Sequence, residues 1–406
     1  MSMHKNTETI MKAQSDQTET TTYAENGAGI HIFVLIDALG WEYLKGREFL
    51  SDLLPYRRPL RTVLGFSSGA IPTILTGAWP AVTGHWNLFY YDPNGSPFWW
   101  LKYFEFMPDF IMNHRITGKI LEQMGRRLLG LGPGFVCGVS PRLLRWFNWD
   151  EKKNIYERGG ISGAKSIFDR LGENGIPNRV YTYHHWTDTE IIQQSQTDLT
   201  SRAARFYFLY LSEMDMFLHE NCADEHKLGN KIAWYDRQLR GVFETARAID
   251  PNVTFTVFSD HGMTPVHNHY DLMKDVERRG FRTPEDYLAV YDSTMARFWF
   301  FNDAAKRQIT EALVESRCGK ILTDIELRDM GVFFDDRRFG EIIYLLHPGW
   351  MLAKSDFNGP QWMPVGMHGY HPDDPYSDGV FLTNDKQAVE VRNIADVYHC
   401  LRKAAN

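Results

Sequence analysis

Three short apolar runs along the chain have the composition of strands that are buried on both faces of a sheet. They are His31–Ile36 (HIFVLI), Phe206–Leu211 (FYFLYL) and Val253–Phe258 (VTFTVF). Continuous runs of aromatic and branched residues are typical of parallel strands that helices cover on both sides. Helical stretches separate the runs, and such an alternation favours an α/β fold. The pattern therefore predicts a mostly parallel central sheet flanked by helices.

Acidic residues follow each of these strands within a few positions. Asp37 comes directly after the first strand, Asp215 comes shortly after the second, and Asp260 follows the third. The carboxyl ends of parallel strands meet at one edge of the sheet, and open α/β sheets bind their ligands there. We therefore expect the three carboxylates to converge.

A further segment is suited to bind an anion. Gly65–Gly77 (GFSSGAIPTILTG) has the pattern of a turn that leads into a helix. It places Ser67 or Ser68 close to the helix N-terminus, where free N–H groups and the helix dipole favour negative charge. Either serine would then lie beside a bound anion.

Residues 265–365 differ in character from the alternating pattern on either side. They contain a predicted strand at Ala296–Phe301 and a helix from about Asp303 to Ser316. We interpret the segment as a cap subdomain, inserted before the chain returns to the site. The catalytic core is then expected to comprise residues 31–264 and 366–406.

The segment from about residue 86 to residue 150 is a second departure from the pattern, because aromatic residues crowd it. We interpret it as an insertion or lid within the core. Two roles are open for its rings. They pack the interior of the lid, or some of them stack on a nucleobase or line an apolar leaving-group pocket.

Composition narrows the class of protein. The chain has 406 residues, of which 43% are hydrophobic and 23% charged, as is ordinary for a globular enzyme. Its net charge of −7 argues against stable binding of nucleic acid, which needs a basic surface. Residues 1–30 are polar, which predicts a disordered leader and not a signal peptide, and no run is long enough for a transmembrane anchor. We therefore expect a cytoplasmic location, with the four separated cysteines reduced.

Three carboxylates and three histidines form the candidate chemistry. The histidines are His219, which follows Asp215 by one helical turn; His261, which is next to Asp260; and His368, in the motif GMHGY. Each has a simpler explanation by itself, such as a helix cap, an exposed i,i+4 pair or a polar loop residue. Together they suit two divalent cations held by nitrogen and oxygen ligands. Zinc fits such a site best, and manganese is the alternative.

The same residues lie in an ordered set of motifs. In chain order the motifs are FVLIDALG, the serine turn ending in ILTG, YLSEMDMFLH, FSDHGM and GMHGY. This set resembles the alkaline phosphatase superfamily and is closest to its nucleotide pyrophosphatase/phosphodiesterase branch. The resemblance covers most of residues 31–385 and implies an alkaline phosphatase-like core.

The resemblance implies a role for each candidate residue. Two metal ions would be bound, one by Asp37, Asp260 and His261, and the other by Asp215, His219 and His368. In this branch the nucleophile lies ten residues before a glycine that corresponds to Gly77. That register selects Ser67 as the nucleophile and leaves Ser68 as the alternative.

Two departures from the branch concern the phosphoryl group. The branch usually has Thr-Phe-Pro-Asn at the nucleophile, whereas this chain has Ser67–Ala70. An asparagine that helps to hold a phosphoryl oxygen often precedes a Tyr-Asp-Pro, and here Asn87 precedes Tyr91–Pro93 one residue out of register. Asn87 is therefore either a phosphoryl contact or a plain polar loop residue.

The resemblance implies a metal-dependent phosphoester hydrolase, a phosphodiesterase or nucleotide pyrophosphatase that works through a phospho-serine. Its partner would be a small phosphoester, for example a nucleotide derivative. A phosphonoacetate-type hydrolase and a phosphomutase use the same core and stay open, as does a non-catalytic metal-binding relative. The substrate, the leaving group and the oligomeric state do not follow from the sequence.

Overall fold

The computed structural model describes residues 29–112, 114–131, 139–356, 363–388 and 390–406. The predicted leader lies outside the described residues, apart from its last two positions. The strands are β1 (His31–Ile36), β2 (Tyr56–Leu60), β3 (Phe89–Tyr91), β4 (Phe147–Trp149), β5 (Asn178–Tyr181), β6 (Phe206–Leu211), β7 (Thr254–Phe258), β8 (Thr264–Pro265), β9 (Asn268–Tyr270), β10 (Tyr287–Tyr291), β11 (Met295–Phe300), β12 (Gly319–Ile321), β13 (Ile342–Leu346), β14 (Trp350–Leu352), β15 (Gly366–Met367) and β16 (Gly379–Thr383). The α-helices are Trp41–Leu44, Ser67–Thr76, Pro80–Thr83, Asp109–Met112, Arg115–Leu128, Ile167–Glu173, Asp188–Thr200, Glu213–Asn221, Glu225–Ile249, Leu272–Glu277, Asp303–Glu315, Asp324–Asp329 and Val397–Ala404.

The central sheet has six strands in the order β2-β16-β7-β1-β6-β5. Strand β1 pairs in parallel with β6 and β7, and β5 extends the sheet in parallel beyond β6. Within this sheet only β16 runs against the others, because it is antiparallel to both β7 and β2. The predicted α/β fold with a mostly parallel central sheet flanked by helices is therefore confirmed.

Strand β1 shows why the apolar runs are continuous. Phe33 packs on one face of the sheet, in a cluster that includes the helix Ser67–Thr76. Ile32 and Val34 pack on the opposite face, in a cluster that includes the helix Asp188–Thr200. Successive side chains of a strand point to opposite faces, so a strand covered by helices on both sides needs an apolar residue at every position.

A second, antiparallel sheet of four strands, in the order β10-β11-β13-β12, lies in the segment interpreted as a cap. Strand β11 and the helix Asp303–Glu315 lie where the sequence predicts a strand and a helix. One face of this sheet packs on that helix through Phe298 and Tyr344. The other face packs through Leu288 and Trp299 on the aromatic-rich insertion. The division of the chain into a core and a cap stays a prediction.

The described cysteines are free thiols. Cys222 and Cys318 are buried, and Cys400 is half-buried; Cys137 lies outside the described residues. Separately, none of the described helices combines the length and the apolar character that crossing a membrane requires.

A buried ion pair joins the second sheet to the aromatic-rich insertion. Arg297 in β11 is fully buried, and its Nε donates to Oδ2 of Asp292 at 3.0 Å. Its Nη1 donates to the carbonyl oxygen of Phe89 in β3 at 2.8 Å. Asn87 donates to the same Asp292 oxygen at 3.2 Å. Burial raises the pKa of Asp292, and the Arg297 charge opposes that effect. The carboxylate therefore depends on Arg297 for its stability.

Replacing the arginine alone should destabilise the protein strongly. We expect Arg297→Met to lower the free energy of unfolding by about 3–5 kcal/mol, because it leaves the Asp292 carboxylate buried without a counter-charge. The double variant Asp292→Asn/Arg297→Met should recover part of that loss. Urea denaturation followed by tryptophan fluorescence measures both. A loss for Arg297→Met below about 1 kcal/mol would contradict a structural role for the pair.

Candidate active site

Two of the predicted carboxylates lie at the ends of neighbouring parallel strands. Asp37 follows β1, and its backbone N–H donates to Leu211 O at the end of β6 at 2.9 Å. Asp260 lies two residues after β7 and is fully buried. Between them, Ala38 has a φ of +60°, and its N–H donates to Oδ1 of Asp260 at 3.2 Å. A left-handed alanine is uncommon, and such conformations cluster at functional sites.

Asp37, Asp260 and His261 form the first group of potential ligands. One donor atom from each lies within 4.8 Å of the others. Nε2 of His261 is 3.4 Å from Oδ2 of Asp260 and 3.7 Å from Oδ1 of Asp37. Among the described residues, neither of these buried oxygens has a hydrogen-bond partner. Oxygens buried without a partner are costly, so the arrangement fits a bound cation.

Asp215, His219 and His368 form the second group. Asp215 and His219 lie one turn apart on the helix Glu213–Asn221, with Oδ2 and Nε2 3.4 Å apart. Nε2 of His368 is 3.5 Å from Oδ1 of Asp215, a buried oxygen that also lacks a hydrogen-bond partner among the described residues. Nδ1 of His219 lies 2.8 Å from the carbonyl oxygen of Gly366. The carbonyl oxygen can only accept a hydrogen bond, so Nδ1 carries the proton and Nε2 keeps its lone pair, as a metal ligand requires.

His261 connects the two groups. Its ring stacks on that of His368, with centroids 3.9 Å apart and planes inclined by 14°. Donor atoms of Asp215, His261 and His368 also lie within 4.8 Å of one another. All six predicted ligands therefore lie in one continuous cluster. Their assignment to metal ions stays a prediction.

The charges of this cluster are not balanced by the chain itself. Burial raises the pKa of Asp37 well above its usual value, and the nearby Asp260 and Asp215 raise it further. Burial would also raise the pKa of Asp215, but the nearby His219 and His368 outweigh burial and lower it. Like charges in a buried site disfavour joint ionisation unless a cation offsets them. The set of nitrogen and oxygen donors fits divalent ions such as zinc.

The two candidate nucleophiles have different surroundings. Ser67 is the first residue of the helix Ser67–Thr76, and its Oγ lies 3.0 Å from Nε2 of His261. Ser68 is buried, and its hydroxyl donates to the carbonyl oxygen of Trp86 at 3.2 Å. The Ser67 hydroxyl therefore faces the ligand cluster, whereas the Ser68 hydroxyl is bound to the backbone of a neighbouring loop.

Asn87 lies in that loop, and its contacts differ from those of the ligands. Its amide nitrogen donates to Asp292, and its Oδ1 accepts from the backbone N–H of Leu88 at 2.9 Å. Its described hydrogen bonds reach neither Ser67 nor any of the six potential ligands. The proposed contact with a phosphoryl oxygen stays a prediction, and the geometry favours a role in the Asp292–Arg297 network.

Three supporting residues are absent from the sequence-based prediction. Tyr210 in β6 donates its hydroxyl proton to Oδ2 of Asp37. Thr62 donates to the backbone carbonyl of Asp260 at 2.7 Å. Thr294 donates to the carbonyls of His368 and Gly369 at 3.2 and 3.1 Å. The sequence could have pointed to Tyr210, because it places a hydroxyl near the end of a buried strand. Nothing in the sequence around Thr62 or Thr294 marks them as supporting residues.

The fold and the site together define a phosphoester hydrolase of the alkaline phosphatase superfamily. The sequence model of one of its families, described as type I phosphodiesterase / nucleotide pyrophosphatase, matches residues 31–371. The chain therefore belongs to this family, and it is a hydrolase of the phosphodiesterase/nucleotide pyrophosphatase type. A search of curated protein sequences returns no match.

Solved structures with the same fold include murine and human ectonucleotide pyrophosphatase/phosphodiesterase 5. They superpose with TM-scores of 0.66 and 0.65, each at 15% identity over 93% of this chain and 95% of the other. An inactive variant of the murine protein, in complex with AMP, superposes with a TM-score of 0.63 at 16% identity over the same shares. At such identities the similarity shows the fold alone.

The helix that carries Asp215 and His219 is supported at its N-terminus by Asp188. The Asp188 carboxylate accepts from the backbone N–H of Ser212 at 2.9 Å and of Glu213 at 3.3 Å, and from the hydroxyl of Tyr235. Burial raises the pKa of Asp188 from 3.8 to about 6, although these hydrogen bonds oppose the shift. Because the pKa is higher in the folded state, the stability that the protonated group contributes is complete below pH 3.8 and is lost as the pH rises through about 6.

Replacing Asp188 should change how stability depends on pH. Asparagine keeps an acceptor for the backbone N–H groups but does not titrate. As the pH rises from 5 to 8, the free energy of unfolding of Asp188→Asn should increase by about 1–2 kcal/mol relative to that of the wild type. Urea denaturation at several pH values measures the gain. The control is Asp335→Asn, at a side chain that is 90% exposed. If the free energy of unfolding depended on pH equally in the two variants, the raised pKa would not belong to Asp188.

Proposed function

We propose that the chain hydrolyses phosphodiester or pyrophosphate bonds through a phospho-serine on Ser67, at a site that holds two divalent metal ions. The observation that carries the proposal is the 3.0 Å separation between Oγ of Ser67 and Nε2 of His261. His261 belongs to the first group of potential ligands, and its donor atom also lies within 4.8 Å of donor atoms of Asp215 and His368 in the second group. The hydroxyl thus lies beside the residue that joins the two groups of potential ligands.

The ligand sets proposed for the two ions are the two groups described above. When bound, such ions stabilise the negative charge that develops on the attacking and leaving oxygens of an in-line displacement. The mixed nitrogen and oxygen donors favour zinc, with manganese as the alternative. The buried carboxylate oxygens without hydrogen-bond partners among the described residues support this assignment.

The chain's own groups orient the reaction. The Ser67 hydroxyl loses its proton to solvent and its Oγ forms a bond to phosphorus, while the bond from phosphorus to the leaving oxygen breaks and the leaving oxygen takes up a proton. Water then attacks phosphorus, the bond from phosphorus to Oγ breaks, and one proton of that water returns to Oγ. The carbonyl oxygen of Phe66 accepts from the backbone N–H groups of Gly69 and Ala70, so the N–H groups of Ser67 and Ser68 are the ones at this helix start that can donate to the equatorial oxygens. Nδ1 of His261 lies 2.9 Å from the carbonyl oxygen of Gly262, and donation of a hydrogen bond there would leave the Nε2 lone pair free to bind a metal ion.

Nucleotide derivatives are the proposed class of substrate. The murine relative of the same fold binds AMP in its inactive variant, in which a threonine is replaced by alanine. That finding supports both a hydroxyl residue as the essential group and a nucleotide as the ligand. A cytoplasmic location stays a prediction from the polar N-terminal sequence.

Removing the Ser67 hydroxyl should abolish hydrolysis. We expect Ser67→Ala to lower kcat by at least about 10³-fold, because the variant loses the nucleophile and the neighbouring Ser68 hydroxyl is bound to the backbone. Ser68→Ala is the matched control and should retain most of the activity, since its hydroxyl binds the backbone. The assay is a panel of phosphodiesters, nucleotide sugars, phosphomonoesters and phosphonates, run with zinc or manganese.

The panel also separates the alternatives. Turnover of phosphonates alone would favour a phosphonoacetate-type hydrolase, and isomerisation of a phosphomonoester would favour a phosphomutase. Binding of metal without turnover of any substrate would favour a non-catalytic relative. A Ser67→Ala variant with wild-type rates would move the nucleophile to Ser68.

Asp260→Asn should weaken metal binding while leaving the fold intact. Oδ1 of Asp260 accepts from the backbone N–H groups of Ala38 and His261. Asparagine can keep those bonds, so its amide nitrogen replaces Oδ2, the proposed ligand atom. We expect the affinity for zinc to fall at least about tenfold. Replacing a residue that only supports a metal ligand already lowers metal affinity by about that factor, and a ligand should matter at least as much. Metal analysis and the zinc-induced rise in Tm measure the change, and an unchanged affinity would remove Asp260 from the ligand set.

A further inference from the structure

The aromatic-rich insertion exposes many large apolar side chains over residues 99–128, here called the 99–128 surface. Half of the exposed large hydrophobic residues in the described part of the chain fall within these 30 positions. Phe106 is 82% exposed and Phe110 is 76% exposed. Large apolar patches are rare on soluble monomers and mark sites of interaction.

The exposed residues are not needed to pack the insertion. A separate set of side chains from the same segment, including Phe98, Leu101 and Leu121, is buried in a cluster with Trp299 of the second sheet. The insertion therefore has an inner apolar face, which the protein covers, and an outer one. Of the two roles that the sequence leaves open for the rings, packing of the lid accounts only for the inner face.

The helix Arg115–Leu128 shows how the outer face is built. Leu121 is buried, whereas Ile116 and Ile120, one turn apart, are 61% and 55% exposed. The exposed Lys119 and Arg127 lie along the same outward side. The helix thus presents to the solvent an apolar stripe that is bordered by basic residues, as interfacial helices do.

The charge of the 99–128 surface is opposite to that of the whole chain. The chain carries 44 basic and 51 acidic residues. Residues 99–128 contain five basic residues and three acidic ones. Of the acidic ones, Glu105 and Glu122 form ion pairs with Arg145 and Arg126. Lys102 extends beside the exposed rings of Trp99 and Tyr103, with its Nζ 5.2 and 5.1 Å from their centroids.

We infer that the 99–128 surface docks the protein on an anionic phospholipid membrane. Exposed Trp, Tyr and Phe rings partition into the boundary between headgroups and acyl chains, where one end of a ring is apolar and the other wet. Lysine and arginine among them bind anionic headgroups, while their aliphatic stems cover apolar surface. Aromatic residues and arginine are enriched at protein interfaces as well, so the excess of basic over acidic residues is what favours anionic headgroups as the occupant. The inference does not rest on the proposed function.

Co-sedimentation of the full chain with vesicles tests the inference. Wild-type protein should bind vesicles of equal parts phosphatidylcholine and phosphatidylglycerol, bind pure phosphatidylcholine vesicles more weakly, and lose affinity as salt rises. Phe106→Ser/Phe110→Ser should reduce partitioning at least about tenfold, because both rings insert. Lys119→Glu/Arg127→Glu should remove the preference for anionic vesicles.

The matched control is Val314→Ser/Ile325→Ser, which removes apolar side chains that are 71% and 70% exposed elsewhere on the protein. It should bind vesicles as the wild type does. Equal Tm values of all variants show that the fold is intact. Absence of binding to either vesicle, or binding unchanged by Phe106→Ser/Phe110→Ser, would overturn the inference. So would a dimer, seen by sedimentation velocity, that Phe106→Ser/Phe110→Ser dissolves while vesicles stay unbound, since the occupant would then be a second copy.

Discussion

The crowding of buried carboxylates at one edge of the central sheet is the constraint on which the site depends. Adjacent parallel strands lie about 4.8 Å apart, so the carboxylates that follow them are brought together despite their mutual repulsion. The chain limits the freedom of these groups by occupying one oxygen of each: Tyr210 binds Oδ2 of Asp37, and Ala38 binds Oδ1 of Asp260. The remaining oxygens face each other and His261. The chain's own hydrogen bonds therefore set this geometry, and a bound cation would offset the repulsion between the carboxylates.

The second half of the site is assembled from parts that are distant in sequence. His368 follows β15, which pairs with β8 directly after the FSDHGM motif. Its carbonyl and that of Gly369 accept from Thr294, in the turn between β10 and β11. The same turn holds Asp292, which Arg297 neutralises. The antiparallel sheet thus supports the site, because Thr294 in its β10–β11 hairpin binds the backbone that carries His368.

The fold and the cluster of ligands could be predicted from the sequence because both follow from local patterns. A strand that is buried on both faces needs apolar residues at every position. An acidic residue that follows such a strand lies at the carboxyl-end edge of the sheet, as Asp37 and Asp260 show. The support of the cluster could not be predicted, because it depends on which side chains meet across the folded chain. Thr294 lies in an ordinary turn, and Asp188 caps a helix that begins more than twenty residues later. Asn87 shows the same limit: its motif suggests a phosphoryl contact, but only the fold reveals that Asp292 already binds its amide.

The aromatic-rich insertion separates two tasks between its faces. Its inner face is closely packed on β10 and β11, and the Phe89 carbonyl is bound by Arg297. A close-packed interior resists rearrangement, since its side chains have few alternative positions. Contacts made by the outer face therefore need not alter the hairpin that holds His368 in place, and distant sites that share no partners contribute independently. Attachment to a membrane through that face would concentrate the hydrolase where lipid-associated phosphoesters are found, and would leave its chemistry to the edge of the central sheet.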